Sequence, residues 1–452
     1  MTFDEALATL AGATVFGINP SLEGVADLTR ALGSPQDTFA SVQVTGTNGK
    51  TSTARLTAAL LRAEGRVVGL YTSPHLQRYP ERIEVDGAVV SDADFARAID
   101  AAVGAAEHLR GPRSTGTPGG FTEFELLTAA CLWLFREMGV EIAVLEVGLG
   151  GRWDATSVVS PSVAVVTGVG LDHTAILGGT VEAIAADKAA IIKPASAPVL
   201  GPGTDGLDDI FLRRAEEVGT HARAVREGLD FSPVAEDLTV RYRVSARPDR
   251  PGGSTVLEVD GVHARYEGLA LAAPAYQAAN VATAVAAAEA ALGRLLDVVR
   301  MRAAVAAVTL PGRFELLRER PPVIVDGSHN PQAAAVLAGA IREAFPDASE
   351  RPTLLLGILS DKDAAGIVRA LADVADSLAV TAPDSPRALA AAELAAIVVR
   401  ETGSSPRVFA TIAEALTELA ATCAGGLVVT GSLVTAGTAR GWLLDGSETG
   451  AA

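Results

Sequence analysis

Basic residues are in short supply: the chain carries 37 Lys and Arg against 54 Asp and Glu, a formal net charge of -17. Without a basic stripe to release counterions from phosphates, neither a nucleic acid nor an anionic membrane surface is expected as a partner. A few local donors still suffice for a small anion. Aromatic residues make up only 4% of the 452, hydrophobic residues 49%, and Gly and Pro are scattered rather than clustered. That composition describes a globular, alanine-rich α/β protein long enough for two or three domains. There are only two cysteines, Cys131 and Cys423, both in apolar helical contexts. They read as buried thiols, so neither a disulfide framework nor a zinc site is implied. The opening "MTFDEALATLAG" lacks a basic start and a long apolar core, and no charge-free apolar run reaches about 18 residues. A cytoplasmic monomer without a membrane span is the expectation.

Short β-branched runs, "SVQVT", "VVGLYT", "IAVLEVG" and "SVAVVTGVG", alternate with stretches of helical spacing. Such alternation predicts parallel strands with crossover helices. Around residues 228–268 the pattern becomes an alternation of polar and apolar residues interrupted by "RPDRPGG", which predicts an antiparallel hairpin inserted in the first domain. "QAANVATAVAAAEAAL" is helical, and a second α/β series follows in "PPVIVDGS", "TLLLGILS", "SLAVTAP" and "GLVVTGSL". Pro311 and Gly312 break helix between the two series, which puts the expected boundary there.

The chemistry gathers at predicted strand ends. "GTNGKT", Gly46 to Thr51, is a phosphate-binding loop shortened to Thr47 and Asn48 between its first glycine and Gly49. Its backbone N–H groups and the following helix N-terminus suit an anion, Lys50 suits the β- and γ-phosphates, and Thr51 suits Mg²⁺. Ser73 and His75 follow the next strand. Glu146 lies inside an apolar strand, where a carboxylate costs several kcal/mol unless it is paired or metal-bound. Arg152 and Asp154 come after it, beyond glycines 148, 150 and 151. Asp172 and His173 end another strand; carboxylate, hydroxyl and imidazole together fit Mg²⁺ or Mn²⁺. In the second half, Arg313 sits at the expected hinge, where it suits a phosphate clamp, and Asp326, His329 and Asn330 end a strand.

With these residues in view the chain resembles the Mur-ligase superfamily, and within it the folylpolyglutamate and dihydrofolate synthases. The ordered motifs run almost end to end: "GTNGK", "TSPHLQRYPERI", "EVGLGGRWDAT", "LDHT", "DKAAIIKP", "PGRFE", "DGSHNP" and "DKD". The resemblance implies a P-loop-type, mostly parallel sheet domain over residues 1–311 and a smaller Rossmann-like α/β domain over residues 312–452. It implies that Gly46, Thr47, Asn48, Gly49, Lys50 and Thr51 bind ATP phosphates, and that Asn280, Arg313 and Asp326 also contact ATP. Ser73, Glu146 and His173 match the residues that hold Mg²⁺. Lys188 matches a lysine carried as a carbamate. Leu22 in "NPSLEG", Thr122, Glu123, Phe124 and Glu125 in "FTEFE", and Trp153 with Asp154 fall where the pterin substrate binds. His329 belongs to the second-domain substrate signature. Thr51 departs from the glycine usual in this branch, and Glu123 stands where an aromatic is common.

The reaction implied is ATP-dependent addition of L-glutamate to dihydropteroate or folates through an acyl phosphate, with Lys50, Lys188, His173 and Arg313 as catalytic groups. Two other readings stand beside it. A cell-wall Mur ligase would share Thr51 but lack "TSPHLQRYPERI". A non-catalytic nucleotide switch would have no use for Glu146, His173 and Arg313 together.

Overall fold

The computed structural model describes residues 1–13, 21–109, 120–228 and 239–449. Asn19 and Pro20 of the expected pterin segment, and 229–238 of the expected hairpin region, lie outside them. Two compact units emerge: one of Met1–Arg243, Val259–Glu267 and Ala279–Val305, the other of Val244–Glu258, Gly268–Ala278 and Ala306–Ala452.

Seventeen strands are assigned among the described residues. They are β1 (Ala40–Thr45), β2 (Val68–Tyr71), β3 (Ile83–Val85), β4 (Ala88–Val89), β5 (Ile142–Glu146), β6 (Val163–Gly168), β7 (Ala197–Gly203), β8 (Arg223–Glu227), β9 (Val240–Ala246), β10 (Thr255–Asp260), β11 (Arg265–Leu271), β12 (Glu315–Glu319), β13 (Pro322–Val325), β14 (Thr353–Leu356), β15 (Ser377–Val380), β16 (Arg407–Val408) and β17 (Leu427–Thr430). Eleven form one sheet in the order β11-β10-β9-β8-β7-β6-β1-β5-β2-β3-β4, and six form a second in the order β12-β13-β17-β14-β15-β16. The β-branched runs predicted as strands are strands, and β1 pairs in parallel with both β5 and β6. Strand β9 neighbours β10 as the hairpin reading requires, but β10 continues into β11, so this region adds three strands to the sheet edge.

The strands β1, beyond its exposed Ala40, β5 and β6 are buried throughout and need cover on both faces, as parallel strands do. The helices Asp92–Leu109 and Glu123–Glu137 contribute Phe95, Ile99, Leu127, Leu134 and Phe135 to one layer. Ile184, Ile191, Leu200 and Phe211 are buried beyond β6. Helix Lys50–Ala63 buries Ser52, Thr53, Ala54, Leu56, Thr57, Ala58, Leu60 and Leu61. Gly65, with φ +82, follows its end. In the second unit, Leu354, Leu356, Ile367 and Val368 pack on one side of the sheet and Leu355, Val429, Leu416 and Leu419 on the other. Cys131 is buried, whereas Cys423 is half-buried because it caps the helix Ile412–Thr422, correcting its reading as a core thiol. No described helix is long and apolar enough to cross a membrane.

Candidate active site

The strand order around β1 explains where the site lies. The connection from β1 leads past β5 to β2, while that from β5 crosses β1 to reach β6. Loops therefore diverge at the C-terminal end of β1, and a crevice opens there. The loop Gly46–Gly49 fills it. Gly49 caps helix Lys50–Ala63 with φ +83, and a Cβ there would meet Asn280 Oδ1 at 2.6 Å. At Gly46, φ +155, a Cβ would lie 1.9 Å from Thr167 Oγ1. Only glycine suits either position. The loop is pinned from β6: Thr167 Oγ1 donates to Asn48 O (2.6 Å), Thr47 N to Gly168 O (2.9 Å), and Gly170 N to Thr47 Oγ1 (2.9 Å). Asn280 also accepts from Thr53 Oγ1 at 3.2 Å, so it stands beside the loop. Thr167 and Gly170 were not foreseen; a threonine ending a strand carries no local sign that it will hold another strand's loop.

Two ammonium groups meet at one carbonyl. Lys50 Nζ and Lys188 Nζ each donate to Gly46 O at 3.0 Å, and Lys50 also donates to Thr47 O at 3.2 Å. Lys188 is buried. Burial, then the Lys50 charge, push its amine down to about 7, with Asp187, Asp172 and Asp154 opposing more weakly.

Glu146 is buried at the end of β5, where Thr51 Oγ1 donates to its Oε1 (2.8 Å) and Ser73 N to its Oε2 (3.1 Å). Beside it Ser73 Oγ is buried without a hydrogen-bond partner. A desolvated carboxylate next to an orphaned hydroxyl is a donor set of the hard-oxygen kind that a divalent cation satisfies. His173 enters left-handed backbone at φ 51, with a half-exposed ring whose Nε2 is 3.9 Å from Asp172 Oδ1. Among the described residues, no three His, Cys, Asp or Glu side chains converge as a ready metal cluster.

The residues expected on the pterin side are largely engaged with one another. Thr122 caps helix Glu123–Glu137 in a reciprocal box: Glu125 N donates to Thr122 Oγ1 (3.2 Å) and Thr122 N to Glu125 Oε2 (2.8 Å). The Thr-x-x-Glu spacing of "TEFE" carried that signal. Glu123 forms a shielded ion pair with Arg82 (3.6 Å), whose Nε donates to His75 Nδ1 (2.9 Å). Burial and the Arg82 charge push His75 down to about 4, which keeps the imidazole neutral. Phe124 stacks on Tyr71 with ring centroids 6.0 Å apart. Asp154 is buried and accepts from Leu149 N (2.9 Å), Thr156 N (3.0 Å) and Thr156 Oγ1 (2.5 Å), so its carboxylate organises the loop that follows β5. Burial raises the Asp154 pKa against those bonds. Trp153, by contrast, is 47% exposed, and Leu22 begins helix Glu23–Ala31 half-buried.

In the second unit Asp326, buried after β13, accepts from Phe314 N (2.8 Å), Ser328 N (2.9 Å) and Ser328 Oγ (2.5 Å). It thereby fixes the strand-end turn and the segment holding Arg313. Phe314 sits at φ 52, a conformation that a non-glycine residue adopts only when its surroundings impose it. Arg313 donates to Gly312 O (3.2 Å), His329 Nδ1 contacts Gly327 O (2.9 Å), and Asn330 caps helix Pro331–Ala344.

A phosphate loop on a parallel sheet, a buried carboxylate at the neighbouring strand end and a second α/β unit define the class: an ATP-dependent ligase on the Mur plan. Residues 44–97 match the Mur ligase middle domain and residues 312–433 the Mur ligase glutamate ligase domain. A dihydrofolate synthase/folylpolyglutamate synthase of Mycobacterium tuberculosis is 37% identical over 457 residues, covering 94% of this chain and 90% of that protein. Among solved structures, E. coli FolC in complex with DHPP and ADP superposes with TM-score 0.84 at 30% identity, covering 99% of each chain. A bifunctional folylpolyglutamate synthase/dihydrofolate synthase with Mn, AMPPNP and L-glutamate bound gives TM-score 0.81 at 28% identity over 98% of each chain. The chain belongs to the dihydrofolate synthase/folylpolyglutamate synthase family. That membership removes the cell-wall ligase and the nucleotide switch as readings.

Proposed function

We propose that the chain joins L-glutamate to the carboxylate of dihydropteroate or a folate at the expense of ATP, with the reacting phosphate held by Gly46–Thr51. The observation that carries this reading is the convergence of Lys50, Lys188 and the Glu146–Ser73 pair at the C-terminal ends of β1, β2 and β5. Lys50, now spent on the loop's own carbonyls, exchanges them for phosphate oxygens when nucleotide binds. Ser73 and Glu146, with His173, would hold Mg²⁺. The ion would neutralise phosphate charge during transfer.

The γ-phosphoryl passes in line to a carboxylate oxygen of the pterin substrate, ADP leaves, and an acyl phosphate remains. The amine of L-glutamate attacks the acyl carbon, loses a proton, and the tetrahedral intermediate expels inorganic phosphate to give the amide. Lys50 offsets charge on the transferring group, and we assign the same task to Arg313, with Asn280 and Asp326 as further ATP contacts. Phe124, Trp153 and Leu22 offer apolar surface to the pterin; Thr122, Glu123, Glu125 and Asp154 shape that surface through the bonds described. His329 would contact substrate from the second unit.

Lys188 is suited to carry a carbamate. At neutral pH an amine titrating near 7 has in part given up its ammonium proton, and the neutral amine can attack CO₂, forming an N–C bond and releasing a second proton, so that the charge passes from +1 through 0 to −1. The product places an anion beside Lys50 where a repelling cation stood.

Phosphate release measured with dihydropteroate, monoglutamyl folate and diglutamyl folate in turn, each with L-glutamate and Mg-ATP, tests the reading. Release dependent on both L-glutamate and at least one of these acceptors is expected. Failure with all three would defeat it.

A further inference from the structure

Strand β1 presents the phosphate loop at its end, yet two polar side chains along it reach another loop. Gln43 and Thr45 alternate with Val42 and Val44, so they share one face of the strand, and both are fully buried. Thr45 Oγ1 donates to Gly150 O (2.6 Å), while Gln43 Nε2 donates to Thr156 Oγ1 (3.0 Å) and to Ser157 Oγ (2.9 Å). All three partners belong to the stretch after β5 that carries Trp153 and Asp154.

The direction of these bonds is fixed. Thr156 commits its hydroxyl proton to Asp154 Oδ1 (2.5 Å) and Ser157 commits its own to Gly151 O (2.5 Å), so each oxygen can only accept from Gln43. A chain of donors therefore runs from the Gln43 amide through Thr156 to the buried Asp154 carboxylate. With its nitrogen so engaged, Gln43 Oε1 is left buried without a hydrogen-bond partner among the described residues. An unpaired buried carbonyl costs stability, and an apolar side chain of the same length would avoid that cost. Stability thus does not account for a glutamine here, whereas the orientation of Asp154 does. From the other side, Lys193 Nζ donates to Val159 O (2.7 Å) and to Ser157 O, and the same segment begins with Lys188 on Gly46 O. Strand β1 and the segment from Lys188 to Lys193 each join the phosphate loop to the loop of Asp154.

We propose that Gln43 is a positioning residue for the acceptor substrate: through Thr156 it sets the Asp154 carboxylate and its loop in register with the phosphate loop that the same strand presents. The assignment rests on the ligase reading, in which the acceptor carboxylate must meet the transferring phosphoryl group of ATP in line. Loss of the relay leaves ATP binding as it was and lets the acceptor sit out of register.

Two substitutions test the relay. Gln43→Met keeps the length of the side chain and removes the amide, and Thr156→Val keeps the shape and removes the hydroxyl. Each is expected to raise KM for the acceptor, the better of dihydropteroate and monoglutamyl folate, by roughly ten-fold with KM for ATP unchanged. Gln43→Met should melt no lower than wild type. The double variant should be no worse than Thr156→Val alone, because both substitutions interrupt one chain of bonds. An unchanged acceptor KM in either single variant, equal rises in KM for ATP and acceptor, effects that multiply in the double variant, or a lowered melting temperature in Gln43→Met would each overturn the assignment. Hydrogen exchange of the ligand-free proteins reads the relay without turnover: peptides covering 148–158 should exchange faster in Gln43→Met while those covering 46–53 do not, and equal exchange over 148–158 would also overturn it. Absence of all ligation by wild type would instead strike the ligase reading, and the exchange result would still decide the relay.

Discussion

Glu146→Ala is expected to cut ATP turnover by at least roughly 10²–10³-fold, and His173→Ala to do the same, with the fold intact in both. For Glu146 the cause is local. Its two oxygens are held by Thr51 Oγ1 and Ser73 N, so the carboxylate is fixed in one orientation beside the orphaned Ser73 hydroxyl. Truncation leaves those donors unpaired but also removes a buried charge, and these costs oppose each other in the stability of the protein. Unchanged circular dichroism and a melting temperature within a few degrees of wild type should therefore accompany the loss of turnover. Binding of Mn²⁺ in the presence of a nonhydrolysable nucleotide, followed by electron paramagnetic resonance, should weaken in parallel. A fully active Glu146→Ala or His173→Ala enzyme would sink the metal assignment for that residue.

Lys188→Ala should be equally damaging to turnover and, unlike the first pair, open to chemical rescue. If the working form is the carbamate, a short-chain carboxylic acid diffusing into the vacated space should restore part of the activity. Wild-type activity should respond to bicarbonate where the mutant's does not. The pH dependence follows from the amine at about 7, below the 10.5 of an ordinary lysine. Above 7 the folded protein holds this amine neutral while the unfolded chain still binds the proton, so the group's contribution to stability rises with pH between about 7 and 10.5. Below 7 both states are protonated and the buried ammonium carries its full cost. Carbamate content and turnover should therefore climb as pH rises through about 7, and the stability slope above it should flatten in Lys188→Ala. An unaffected Lys188→Ala enzyme would reduce that residue to a structural lysine.

Much of this architecture is legible in the chain because its signals are local. Short apolar runs announce β1, β2, β5, β6, β13, β14, β15 and β17, and candidate residues end or follow β1, β2, β5, β6 and β13. Glu146 is conspicuous because a carboxylate in "IAVLEVG" has no bland explanation. Its partners are not legible: Thr51 and Ser73 come from different strand ends, and only the sheet order brings them together. In "FTEFE" a substrate motif and a helix capping box have the same letters, and Thr122 and Glu125 are bonded to each other, which the letters alone do not announce. Asp154 repeats the lesson, since its position suits a ligand while its burial and its donors make it the organiser of its own loop. Cys423 fails for a simpler reason: helical periodicity does not say where a helix stops.

The pairing of β1 has a consequence for how the protein is made. Ala40 waits for Ile142 and Val42 for Val163, so the strand that presents the phosphate loop is synthesised long before either neighbour exists. The loop itself is closed by Thr167 and Gly168, then by Lys188, and finally by Asn280 beside Gly49. A nascent chain on the ribosome thus carries an unfinished nucleotide site through most of the first unit's synthesis. Non-local parallel pairing of this kind folds slowly and leaves apolar edges bare in the interval. Nucleotide can reward only the last stage of that assembly, so ligand binding gives the early strands no protection.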